Sequence, residues 1–127
     1  MLREIAKVRQ DRRGLKRRWF TDDRWDLYVW EDHDRITGFQ LCYGKEAYER
    51  ALTWMEGEEP YHAAIDDGTD RDANRKHAPI LVADGVMPVR AVLDRFHRDA
   101  AEIDPAVRDY VSTKLGELQR DYPGIGV

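Results

Sequence analysis

The chain has 127 residues and a formal net charge of −4, with 42% hydrophobic and 36% charged residues. That length is the commonest for one domain, in which roughly two-thirds of the unfolded surface is buried on folding, and the composition excludes disorder throughout and supplies one core over residues 1–127. The longest apolar runs are a few residues, against roughly 20 for a bilayer-crossing helix, and the first twenty residues carry charges in place of a secretory apolar segment, so a cytoplasmic protein with no membrane partner is expected.

Residues 2–9 fit two periods. Leu2, Ala6 and Val8 suit a strand and Leu2, Ile5, Ala6 and Arg9 a helix; a strand is preferred because Gln10 to Gly14 reads as a turn and Leu15 to Phe20 as the returning partner. In that partner Leu15 and Trp19 point one way and Phe20 the other, before a turn at Thr21-Asp22-Asp23. Trp25, Leu27 and Val29 then share one face, with Tyr28 and Trp30 on the opposite one.

Glu31-Asp32-His33-Asp34 is a polar turn. The strand after it, Arg35 to Tyr43, puts Thr37, Phe39, Leu41 and Tyr43 on one face and Ile36, Gly38, Gln40 and Cys42 on the other. After a reversal at Gly44-Lys45-Glu46, residues 49–55 set Leu52 and Trp54 against Ala51, Thr53 and Met55. A turn at 56–60 leads to Tyr61–Ile65, where Tyr61, Ala63 and Ile65 face away from His62 and Ala64.

Residues 66–77 are almost wholly polar and read as the longest loop. Pro79 to Ala83 is a last strand, with Asp84-Gly85 turning out of it. Pro88 suits the start of a helix whose stripe is Val89, Val92, Leu93, Phe96 and Ala100. Asp104-Pro105 is a cap and first-turn signal for a second, with Val107, Val111, Leu115 and Leu118 on its stripe, ending before Tyr122-Pro123-Gly124. The expected fold is α+β: an antiparallel β-meander of about six or seven strands followed by two C-terminal helices packed on one face.

Two helices shelter one face of such a sheet, yet the strands carry large rings on both. A contiguous exposed patch of rings marks a binding surface, so the second face is expected to meet sheet curvature, a second subunit or a ligand. Tyr28, Trp30, Gln40, Trp54 and His62 are the ligand-binding candidates, since flat rings beside an amide and an imidazole suit a planar small molecule; core packing or a dimer interface explains the same rings.

His62, Asp66 and His77, with Asp67 beside them, are the metal or acid/base candidates, imidazole and carboxylate being ligands for a borderline cation. No His-Glu-x-x-His or paired Cys-x-x-Cys spacing supports them, and Asp-Asp-Gly is also an ordinary turn. Cys42, the only cysteine, is either a nucleophile needing a histidine or a small buried hydrophobe, and packing is the preferred reading. His33 between two aspartates reads as solvated and His97 as a helix-edge residue. With isolated glycines and a single serine, Ser112, the chain has no phosphate loop and no serine nucleophile elbow, and no cofactor is expected.

Residues 1–20 hold eight Lys or Arg against Glu4 and Asp11, a balance of +6 that leaves −10 for the remainder. A basic N-terminal hairpin through Lys16 to Phe20 can contact nucleic acid. The alternative, that Arg12, Arg13, Lys16, Arg17 and Arg18 rim a hairpin facing the protein's own acidic residues, is preferred because the net field repels polyanions.

The segments Arg17-Arg18-Trp19-Phe20, Asp26-Leu27-Tyr28-Val29-Trp30, Gly38-Phe39-Gln40-Leu41-Cys42-Tyr43 and Pro79-Ile80-Leu81-Val82-Ala83-Asp84-Gly85 together resemble a group of short bacterial proteins of unknown function, over roughly residues 15–97. The resemblance implies a bacterial single-domain protein and brings no activity with it. The leading expectation is therefore a noncatalytic binding or assembly module that forms a homodimer through the aromatic face of its sheet. The alternatives are a small enzyme or small-molecule binder with a His/Asp site, and nucleic-acid contact through the basic hairpin.

Overall fold

The structure is a computed structural model that describes residues 1–10, 14–46, 48–66, 80–83 and 87–122. Strands β1 (Arg3–Glu4), β2 (Lys16–Thr21), β3 (Trp25–Asp32), β4 (Arg35–Tyr43), β5 (Arg50–Met55), β6 (Tyr61–Asp66) and β7 (Ile80–Ala83) form one antiparallel sheet in chain order. Helices α1 (Val89–Asp99) and α2 (Pro105–Asp121) follow. The α+β meander with two terminal helices is thus the observed architecture, and no described helix is long and apolar enough to cross a membrane.

Alternation decides which side faces the helices. Trp25, Leu27 and Val29 stand opposite Tyr43, Leu41 and Phe39, Phe20 opposite Leu27, and Leu52 opposite Leu41. With Val89, Val92 and Phe96 of α1 and Val107, Val111, Leu115 and Leu118 of α2, these side chains make one core. Each fully buried one contributes about 1.5–3 kcal/mol relative to exposure. Trp25 meets Phe96 edge-on at 5.6 Å, which fixes α1 across the start of β3. The Asp104 carboxylate accepts from the Ala106 amide at 2.9 Å and caps α2, whose first residue is Pro105.

Three local expectations change. The strand expected over 2–9 pairs at Arg3 and Glu4 alone, because Leu2 is drawn into the core while its amide donates to the Asp99 carbonyl at the end of α1. The turn expected over 31–34 narrows to His33 and Asp34, with φ of 51° and 71°. That is the two-residue geometry whose twist matches an antiparallel hairpin, and it lets Asp32 pair with Arg35. Ile36, expected on the face of Gly38, packs against the core. A register shift after Trp30 pairs Glu31 with Ile36 and passes over Thr37, so a bulge turns Ile36 over. The loop expected beyond Asp66 and the turn at Asp84-Gly85 lie outside the described residues.

Candidate functional site

The face of the sheet away from the helices is ordered in levels by the strand registers. The middle level runs Trp19, Tyr28, Gln40, Thr53, Tyr61 across five adjacent strands. One level toward the β3/β4 turn lie Arg17, Trp30, Gly38 and Met55; on the other side lie Thr21, Asp26, Cys42, Ala51 and Ala63. None of these belongs to the core beneath the helices. Neighbouring strands sit about 4.8 Å apart, so the middle level spans about 19 Å.

Large and small side chains divide this face. The Trp19 and Tyr28 rings stack at 5.9 Å and 12°, and the Arg17 guanidinium lies 5.4 Å from the Tyr28 ring centre while donating to the Arg9 carbonyl. Beside this ridge Cys42, Ala51 and Ala63 are buried, low because they are short. At one edge Asp26 gathers three donors: the Trp19 indole N–H at 3.0 Å, the Thr21 hydroxyl at 2.7 Å and the Lys45 ammonium at 3.2 Å. In the middle the Gln40 amide donates to the Thr53 hydroxyl at 2.9 Å, and its oxygen lies 3.8 Å from the Cys42 sulfur.

Burial, aided by the Asp26 charge, pushes the Tyr28 hydroxyl up to about 12. Burial likewise raises the Cys42 thiol far above its usual range, with Glu49 and Asp26 adding to the effect. A thiol held protonated in this way is a poor nucleophile. His62 lies on the opposite face, level with Leu52, so no Cys42–His62 pair forms and packing accounts for the cysteine.

The five ligand-binding candidates divide between the two faces. Tyr28, Trp30 and Gln40 lie on the far face. Trp54 lies on the helix side, 6.1 Å from Phe39 and 6.4 Å from Tyr110 by ring centres, with the Lys114 ammonium 4.4 Å above it. His62, 5% exposed, shares that side, its Nε2 at 2.6 Å from the Tyr43 hydroxyl and its ring stacked on Tyr43. A planar molecule cannot touch both groups through the sheet.

Of the metal candidates, Asp66 ends β6 opposite Ile80, while Asp67 and His77 lie outside the described residues. Among the described residues no three His, Cys, Asp or Glu side chains are gathered as a metal site. His33 is exposed beside Asp32 and His97 is exposed on α1. In the basic hairpin Arg18 is already engaged: it donates to both Glu4 oxygens at 2.8 Å, to Glu31 at 3.0 Å and to Asp104 at 3.4 Å. Contact with Glu4 and then with Glu31, against partial burial, raises its pKa further.

Sequence reasoning overlooked Trp19, Thr53 and Tyr61 as neighbours of Tyr28 and Gln40. The turn alone does not give this pairing: counting outward from His33-Asp34 would set Tyr28 opposite Phe39, and the bulge that passes over Thr37 moves Gln40 into place. Comparison of the chain with protein families, with characterised proteins and with solved structures found no match.

Proposed function

We propose that this protein is a noncatalytic assembly module whose far sheet face recognises a second copy of the chain. The observation that carries the reading is the middle level, Trp19-Tyr28-Gln40-Thr53-Tyr61, five cross-strand neighbours that stand outside the core under the helices. Tyr61 at one end is 43% exposed, and tyrosine and tryptophan beside amide and hydroxyl groups is the composition of protein interfaces.

A two-fold axis through the middle level sets the Arg17 level of one copy over the Asp26 level of its mate, an isologous arrangement in which the Lys45 ammonium already balances Asp26 within each copy. The burial of Cys42 and its separation from His62 support a binding role over nucleophilic chemistry on this face.

Sedimentation velocity between about 1 and 100 µM, a span of about 2.7 kcal/mol in association free energy, tests the reading. A concentration-dependent dimer is expected, and Tyr61→Glu, a change at an exposed position, shifts it to monomer. A sedimentation coefficient that stays monomeric over the whole range, or a dimer indifferent to Tyr61→Glu, overturns it.

A further inference from the structure

A cleft of about 480 Å³ lies on the other side of the molecule, at the end of the β3/β4 hairpin under α1. Its size falls within the usual range for small-molecule sites. Trp25 and Tyr43, directly opposed on β3 and β4, form its sheet wall. Helix α1 crosses above them and turns Ala91, Arg95 and Arg98 toward the opening, the i, i+4, i+7 spacing of a single helical face.

The wall is held in place. Trp25 donates its indole N–H to Asp99 at 2.7 Å, and the Tyr43 ring is pinned by its hydroxyl contact to His62 at 2.6 Å. The charges at the lip are held loosely. Arg95 stands 3.6 Å from Glu46 and Arg24 stands 3.9 Å from Asp99, both well beyond a tight charge-assisted bond of about 2.8 Å. Among the described residues Arg98, exposed, makes no ion pair.

Of the described lining residues three carry guanidinium groups, Arg24, Arg95 and Arg98, and two carry carboxylates, Glu46 and Asp94. A third carboxylate, Asp99, faces Arg24 at 3.9 Å, so the charges nearly balance; Arg98, with no ion pair among the described residues, suits a single negative charge, and the neighbouring carboxylates disfavour a dianion such as phosphate. Planar guanidinium donors match a carboxylate in two-point geometry, and the apolar part of the lining, Tyr43, Ala91 and Val92, offers a flat contact.

We propose that this cleft binds a small aromatic monocarboxylate, its ring against Tyr43 and the Ala91-Val92 side of α1 and its carboxylate on Arg95 and Arg98. The site is separate from the face proposed for assembly and stands or falls without it.

Titration with 2-naphthoate, followed by backbone amide NMR shifts, tests it against two comparison probes, neutral 2-naphthamide and inorganic phosphate. Saturable shifts are expected at Gly44, Ala91 and Arg95, with the amide and phosphate about tenfold weaker or more. Arg98→Gln, at an exposed position, retains the wild-type melting temperature and loses about tenfold in naphthoate affinity. Equal binding of the amide, a match by phosphate, shifts confined to Gln40 and Thr53, unchanged affinity in Arg98→Gln, or no saturable shift at millimolar naphthoate each overturns the proposal.

Discussion

The Tyr43 hydroxyl and the His62 Nε2 lie 2.6 Å apart, on rings stacked at 5.9 Å and 13°, and so tie β4 to β6 across the intervening β5. His62 stands directly opposite Leu52 and is nearly buried, so the contact works in a low-dielectric setting where a hydrogen bond is stronger than in water. A double-mutant cycle of Tyr43→Phe and His62→Gln should return a coupling energy of about 1 kcal/mol. Urea melts of the four proteins measure it, and additive losses would mean that the contact contributes nothing.

Arg18 links three elements at once. Its guanidinium reaches Glu4 on β1, Glu31 on β3 and Asp104 at the cap of α2. Glu31 is the partner that matters most, since its side chain is 9% exposed against 39% for Glu4 and for Asp104. Removing the cation strands a buried carboxylate, whereas removing an exposed partner costs little. Arg18→Gln should lower the unfolding free energy by about 3 kcal/mol and Glu4→Gln by less than about 1 kcal/mol. Arg18→Lys should recover only part of the loss, because one ammonium cannot reproduce the fork. Denaturant midpoints at matched slope distinguish the three.

Gly38 faces Met55 across β4 and β5. A Cβ at this position would lie 2.8 Å from the Trp54 carbonyl oxygen and closer still to the Met55 sulfur. The thioether can move and the backbone carbonyl cannot. Gly38→Ala should therefore destabilise by about 2 kcal/mol, within the range for overpacking, and adding Met55→Ala should fail to rescue it. Thermal melts of both variants provide the check; full rescue by Met55→Ala would place the whole conflict in the side chain.

What could be read from the sequence follows from how locally each feature is encoded. Strands β3 and β4 were legible because one side of each is buried, so a one-residue slip would send Leu27 and Phe39 into water. The α2 start was legible because Asp104 and Pro105 act within a single turn. The bulge that turns Ile36 inward was not, since the alternation along β4 gives no sign of the residue passed over at Thr37. The division of Trp54 and His62 from Tyr28, Trp30 and Gln40 was implicit in the alternation of each strand, but needed the cross-strand registers to become a statement about one site. The partner of His62 is nineteen residues away and that of Trp25 seventy-four, and no local motif announces either.

Tyr28 yields a prediction about pH. Its ring stacks on Trp19 at 5.9 Å, and the Arg17 guanidinium lies 5.4 Å from its centre. Burial first and the Asp26 charge second push its hydroxyl from 10.0 up to about 12, with Arg17 opposing. The folded protein therefore keeps this proton over an interval in which the unfolded chain has lost it. Between those values the native state binds more protons, so stability falls as pH rises. The contribution is complete below the unfolded value and is lost as pH climbs through the folded one. Tyr110 is shifted the same way by burial and adds to the same slope. Urea midpoints at about pH 9 and about pH 11 should differ less in Tyr28→Phe than in the wild type, because phenylalanine has no proton to lose. Absorbance at the phenolate band should show one late-titrating tyrosine missing from the variant; a variant with the wild-type slope and titration curve would place Tyr28 in water.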